Sequence, residues 1–246
     1  MMTPPFFKSH EDFNYFRRET FDRRYFRSEY TDQFLAAVLD SCSSRVLLLK
    51  EGDVLYRAQL GHDWRTDGPL GGQVPCPFSP ERMKPLGDRA HEGRINPKGI
   101  PCLYAASTRE AAISEMRPGI SAQLSVARLE IVRDLKIIDC NRKVGPFVGL
   151  FQPPDDKIDE TVWATIDRAF GEPVIRVEDR ADYAATQIVA ELFRINGYDG
   201  IAFTSQFDPD GYNVALFNLT DARQTECHVF RTTAVKYTFD GPWGGY

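Results

Sequence analysis

The sequence is poor in histidine (4), methionine (4) and tryptophan (3), and no stretch approaches the roughly 20 apolar residues that a membrane-spanning helix needs. Its five cysteines, Cys42, Cys76, Cys102, Cys140 and Cys227, are odd in number and widely spaced. That pattern fits neither a disulfide framework nor a zinc site, and five reduced thiols are expected. Of the histidines, His10, His62 and His91 are scattered, and only His228 adjoins a cysteine, so no metal site is expected. A large charge excess is also missing: 30 Lys+Arg face 35 Asp+Glu, for a net charge of −5. This balance argues against disorder and against a general coat for nucleic acid. The opening MMTPPFFKSHEDF has no basic segment leading into an apolar one, so a secretory signal is not expected. Repeats and low-complexity tracts are lacking too. A cytoplasmic globular chain of one large domain or two small ones is the expectation.

Aromatic side chains are plentiful, with 17 Phe and 10 Tyr. Residues 10–30 interleave Phe13, Tyr15, Phe16, Phe21, Tyr25 and Phe26 with arginines, a mixture that suits nucleic-acid stacking. The first 30 residues nevertheless hold six basic and five acidic side chains, so an amphipathic helix or helix pair lying on the domain is preferred. A helix follows at Phe34, Leu35, Val38 and Leu39, with Thr31 as its expected N-cap. Val54–Ala58 predicts a strand. Residues 61–99 show little periodicity, and GPLGGQ lacks the features of a phosphate-binding loop. Cys102–Ala106 predicts a strand running into a capping box, Ser107 to Glu110, and a short helix that ends near Met116. Extended structure is expected over 124–131 with a break near Ala127–Arg128, and again over Leu135–Cys140. A helix is expected near Ile158–Phe170. A clearer one spans Ala185–Phe193 and is stopped by Asn196–Gly197. Gly200–Thr204 and Val214–Phe217 then form a hairpin, and Cys227–Phe239 a last strand. Helices are interspersed among strands without regular alternation, which indicates an α+β fold.

Several polar residues stand in awkward places. Glu115 shares a helix face with Ala111 and Ala112, where burying an unpaired carboxylate is expensive. It needs a cation, as in a salt bridge to Arg57 or Arg94, or else hydrogen bonds or a cleft. Arg57 lies inside a half-buried strand and suits capture of a carboxylate or phosphate. Ser205 ends an apolar strand, and Tyr104 lies within one. Either is a site residue or an ordinary turn serine and core aromatic.

Together these segments resemble the RES-domain family, named for an Arg, a Glu and a Ser. The matching motifs occur in order: LYRAQLG with Arg57, GRINPKGIPCLYAAS with Arg94, Asn96, Gly99 and Tyr104, EAAISEM with Glu115, AELFRINGYDGIAFTSQF with Ser205, and GYNVALF with Asn213. The resemblance implies a fold similar to ADP-ribosyltransferases, a split twisted sheet gripping NAD. It also implies an NAD-consuming toxin, partnered by a helix-turn-helix antitoxin and acting by hydrolysis, phosphorolysis or protein ADP-ribosylation. In that chemistry Glu115 stabilises positive charge on the ribose or orients the attacking water. Arg57 clamps the pyrophosphate with Arg94 as helper, Tyr104 stacks on nicotinamide, and Ser205 and Asn213 are polar contacts. No metal is implied. Residues 1–50 are then an N-terminal helical extension, and 51–246 the RES domain with insertions near 61–93 and 141–182. The insertions are expected to form a lid, a homodimer surface, or a site for antitoxin or target protein. A rival of another class is a noncatalytic module that binds RNA or protein through the Arg/aromatic segment.

Overall fold

The computed structural model describes residues 5–25, 27–68, 71–87, 89–141, 153–172, 183–236 and 241. Phe26 and the parts of the expected insertion and tail at 142–152, 173–182 and 237–240 lie outside them. Five α-helices are described: α1 (Asp12–Asp22), α2 (Glu29–Cys42), α3 (Arg109–Glu115), α4 (Ile158–Gly171) and α5 (Tyr183–Ile195). The strands are β1 (Val46–Leu49), β2 (Val54–Leu60), β3 (Asp63–Asp67), β4 (Gly72–Cys76), β5 (Leu103–Ala106), β6 (Gln123–Ile131), β7 (Leu135–Asp139), β8 (Gly200–Thr204), β9 (Tyr212–Leu216) and β10 (Ala222–Arg231). Eight strands form one mixed sheet in the order β1-β7-β8-β9-β5-β2-β6-β10. All its neighbours are antiparallel except β7 and β8. The expected α+β class is the observed one.

Strand alternation builds three buried clusters from this sheet, a small one under α3 around Ala58, Ala106 and Leu124 and two larger ones. Ile138, Ile201, Phe203, Ala215 and Phe217 face a helical layer containing Phe13, Phe16, Phe34, Trp163 and Phe193. Ile137, Ala202, Val214 and Leu216 face the other side with Phe78 and Met83. The aromatic N-terminal segment is therefore one helix, α1, whose Phe13 and Phe16 are buried in the main core, followed by the start of α2 at Glu29. Tyr15, Phe21 and Tyr25 stay exposed. Two of the five described aromatics in that pattern are accounted for by core packing.

The local chemistry differs from expectation in five places. Ser28, not Thr31, caps α2, and its Oγ accepts the Thr31 amide. The cap of α3 lies one residue later than predicted: Thr108 Oγ1 accepts from the Ala111 amide, while Ser107 Oγ accepts from Tyr212. The irregular stretch after Leu60 contains a hairpin, β3 against β4, whose exposed, polar strands carry no burial alternation to betray it. β6 runs unbroken, because the irregularity is on its partner β10, between Gln224 and Glu226. β10 itself starts at Ala222, earlier than the hydrophobic pattern suggested. The helix stop is as expected: Gly197, at φ +83°, takes the left-handed conformation after α5.

The sheet is interrupted where it matters most. β2 pairs with β6 along its whole length, from Val54↔Glu130 to Leu60↔Leu124, but with β5 only through Tyr56↔Ala106. The splayed strands leave backbone groups without ladder partners and open a gap between the α3 half of the sheet and the α4/α5 half. No described helix is long and apolar enough to cross a membrane.

Candidate functional site

A cleft of about 510 Å³ opens over this gap. Arg57, Arg94, Tyr104, Glu115 and Asn213 all line it. The sixth expected residue, Ser205, is only 4% exposed and sits behind the wall, bonded to Glu115.

Arg57 enters from β2. Its Nε donates to the Met83 carbonyl at 2.7 Å and its NH1 to the Tyr104 carbonyl at 2.6 Å. The guanidinium thus satisfies a β5 carbonyl across the split and ties it to the loop after β4. Burial lowers the pKa of this group, an effect partly opposed by Tyr104 and Cys102. No described carboxylate is ion-paired with it. A salt bridge from Arg57 or Arg94 to Glu115, one of the alternatives the sequence leaves open, is not present among the described residues.

Glu115 is satisfied by neutral donors instead. Its Oε1 accepts from Asn213 Nδ2 at 2.6 Å and from Ser205 Oγ at 3.2 Å. The last residue of α3 is thereby pinned to β9 and to the end of β8. No described donor bonds to Oε2. Two neutral bonds hold the carboxylate without cancelling its charge, an arrangement suited to meeting positive charge that develops in a ligand.

The GRINPKG segment forms a brace. Asn96 Nδ2 donates to the carbonyls of His91 (2.9 Å) and Ile100 (2.8 Å), closing the loop on itself. Tyr104 Oη donates to Asn96 Oδ1 at 2.7 Å and accepts from the Ile95 amide at 3.1 Å. Burial pushes the Tyr104 phenol well above its ordinary pKa, so it stays protonated and keeps donating. Gly99, at φ +87°, supplies the turn. Arg94 is held over the Tyr183 ring, with its NH1 on the Ala169 carbonyl at 2.8 Å. Tyr104→Phe leaves Asn96 Oδ1 and the Ile95 amide without this partner while keeping the ring. It is expected to cost about 2 kcal/mol of stability, read by chemical denaturation.

Other residues shape the cleft without having drawn notice in the sequence. Tyr56, Phe170, Phe203 and Phe207 supply aromatic wall. Arg117, at φ +45°, lies over the Phe207 ring at the mouth. Tyr56 adjoins Arg57, and Phe207 follows Ser205 by two, but nothing in an isolated aromatic distinguishes a cleft wall from a core. The expected insertions also contribute. Met83 anchors Arg57, and the end of α4 provides Phe170 and Gly171. No cysteine lines the cleft, and no group of three or more His, Cys, Asp or Glu suited to a metal occurs among the described residues.

Comparison with curated proteins gives no significant match. Among solved structures, the chain is similar to one from the M. tuberculosis MbcT–MbcA toxin–antitoxin complex, with a TM-score of 0.43 and 14% identity over 80% of this chain and 92% of that one. The RES domain family matches residues 54–240, which contain every residue that lines the cleft. With three quarters of its length matched, this chain belongs to the RES domain family.

Proposed function

We propose that this protein cleaves the nicotinamide–ribosyl bond of NAD and acts as the toxin of a toxin–antitoxin pair. The observation that carries the chemistry is Glu115, charged but held only by neutral donors, in a cleft that also presents the Arg57 guanidinium. Departure of nicotinamide leaves positive charge on the ribose, as in glycoside cleavage. Glu115 Oε2 stabilises that charge and orients the attacking water. Arg57 binds the pyrophosphate, with Arg94 beside it, and Tyr104 offers a ring that its phenol bonds hold in place. Water adds at C1′ of the ribose as the C1′–N bond breaks. The bonding pair neutralises the pyridinium nitrogen of the departing nicotinamide, and water's proton goes to solvent. Phosphate in place of water makes the reaction a phosphorolysis. Membership of the RES domain family supports NAD as the substrate, and with it an antitoxin of the helix-turn-helix kind as partner.

Transfer of ADP-ribose to a protein is the alternative within the same chemistry. The RNA-binding rival is disfavoured, because Phe13 and Phe16 of the Arg/aromatic segment are buried in the core. Incubating the purified protein with NAD, with and without phosphate, and following nicotinamide release is the test. Release with water alone identifies hydrolysis, and release that requires phosphate identifies phosphorolysis. A labelled band appearing only in lysate identifies transfer. Intact NAD in every arm overturns the proposal.

A further inference from the structure

We infer that Asp167, on α4, is a positioning residue for Glu115, acting through Thr204 and Ser205. The inference rests on Glu115 being the group that meets the reacting sugar. Asp167 Oδ1 accepts from the Thr204 amide at 2.9 Å, and Oδ2 lies 2.6 Å from Thr204 Oγ1, whose single hydroxyl proton it shares with Asn141 Oδ1, also at 2.6 Å. Thr204 is the last residue of β8, and the next residue, Ser205, donates to Glu115. One carboxylate therefore grips both the backbone and the side chain of the residue from which Ser205 projects.

The approach of α4 to this point is close. A Cβ on Gly171 would lie 2.8 Å from the Thr204 carbonyl oxygen, so a larger residue there forces helix and strand end apart. Phe170 and Phe203 meet with ring centroids 6.2 Å apart, and Arg94 bonds the Ala169 carbonyl. One turn of α4 thus braces two walls of the cleft. Desolvation of Asp167 raises its carboxyl pKa, while the Thr204 bonds oppose that rise. A half-buried carboxylate is a costly way to fill space beside a strand. Its two bonds to Thr204 explain its presence. Misplacement of a reacting group by about 1 Å is worth on the order of 100-fold in rate.

The test compares Asp167→Ala, which removes both acceptors, with Asp167→Asn, which retains an oxygen for the Thr204 amide, and Thr204→Val, which loses only the hydroxyl. For NAD turnover, Asp167→Ala is expected to lower kcat by at least about tenfold with KM within about threefold, and Asp167→Asn to recover most of the loss. Amide exchange at Ser205, Gln206 and Phe207 is expected to quicken by about tenfold in Asp167→Ala, with the body of α4 unchanged. Should that variant not fold, Thr204→Val is read in the same two assays, with a smaller change in the same direction. Exchange at 205–207 unaltered in a folded variant, or kcat within about twofold of wild type in an enzyme that turns over NAD, overturns the inference. If wild type leaves NAD intact, the proposed substrate fails, and the exchange measurement still decides the role of Asp167.

Discussion

Glu115→Gln is expected to lower NAD turnover by about 100- to 1000-fold with little change in KM or in folding. The substitution keeps the shape of the side chain and leaves Gln Oε1 able to accept from Asn213 and Ser205. What it removes is the negative charge. That charge does little for the bound ground state at the ribose compared with a state in which cationic character has grown there, so the loss falls mainly on kcat. Nicotinamide release under saturating NAD, beside a thermal unfolding curve, separates the two effects. A variant within about fivefold of wild type shows that the carboxylate's charge is not used, and returns Glu115 to a structural role. The companion change, Asn213→Ala, takes away the shorter of the two bonds. It is expected to be milder, because the charge survives and only its aim is loosened.

Arg57→Ala is expected to weaken both the fold and substrate binding. In the native protein this guanidinium closes the split between β2 and β5 by bonding the Tyr104 carbonyl, and it anchors the Met83 carbonyl as well. Removing it strands two acceptors beside a cleft, and bonds to charged donors are worth about 1.5–3 kcal/mol each, so a loss of about 3 kcal/mol is anticipated. The pyrophosphate loses its clamp too, and KM for NAD should rise by at least about tenfold. Arg57→Lys distinguishes the two contributions. Lysine keeps the charge but not the planar fork, so it cannot bond both carbonyls and a phosphate in the same geometry. It should recover part of the binding and little of the stability. Chemical denaturation and substrate titration of the three proteins check this. Full stability in Arg57→Ala would show that the carbonyl bonds are dispensable.

Much of the architecture is legible in the chain because it is written in short-range patterns. The helix over Ala185–Phe193 repeats apolar residues at helical spacing and ends at a glycine that adopts positive φ. The hairpin of β8 and β9 follows from two apolar runs around Asp208–Gly211. Where such patterns are absent, the reading fails for a physical reason. β3 and β4 bury little, so polarity along them does not alternate. The caps of α2 and α3 each lie amid several hydroxyl residues, and only the backbone geometry selects Ser28 and Thr108. The break assigned to β6 belongs to its partner, because a bulge is a property of a strand pair.

The candidate site divides in the same way. Residue type alone marked Arg57 and Glu115, since a cation inside a strand and a carboxylate on a small-residue helix face each require a partner. The chain could not say which partner. An ion pair between them was the simplest solution, and the structure sets them apart: Arg57 on two carbonyls, Glu115 on Asn213 and Ser205. Nor does sequence order place Met83 or the end of α4 at the cleft, since both lie in stretches that look like additions to a core. By itself the sequence determined the α+β class, the principal elements and the identity of the charged residues, because these depend on local periodicity and on the cost of burying polar groups. Only the tertiary structure decided that Arg57 and Glu115 remain unpaired with one another and that α4 closes the wall, because those outcomes depend on which distant backbone groups the splayed sheet leaves in need of a donor.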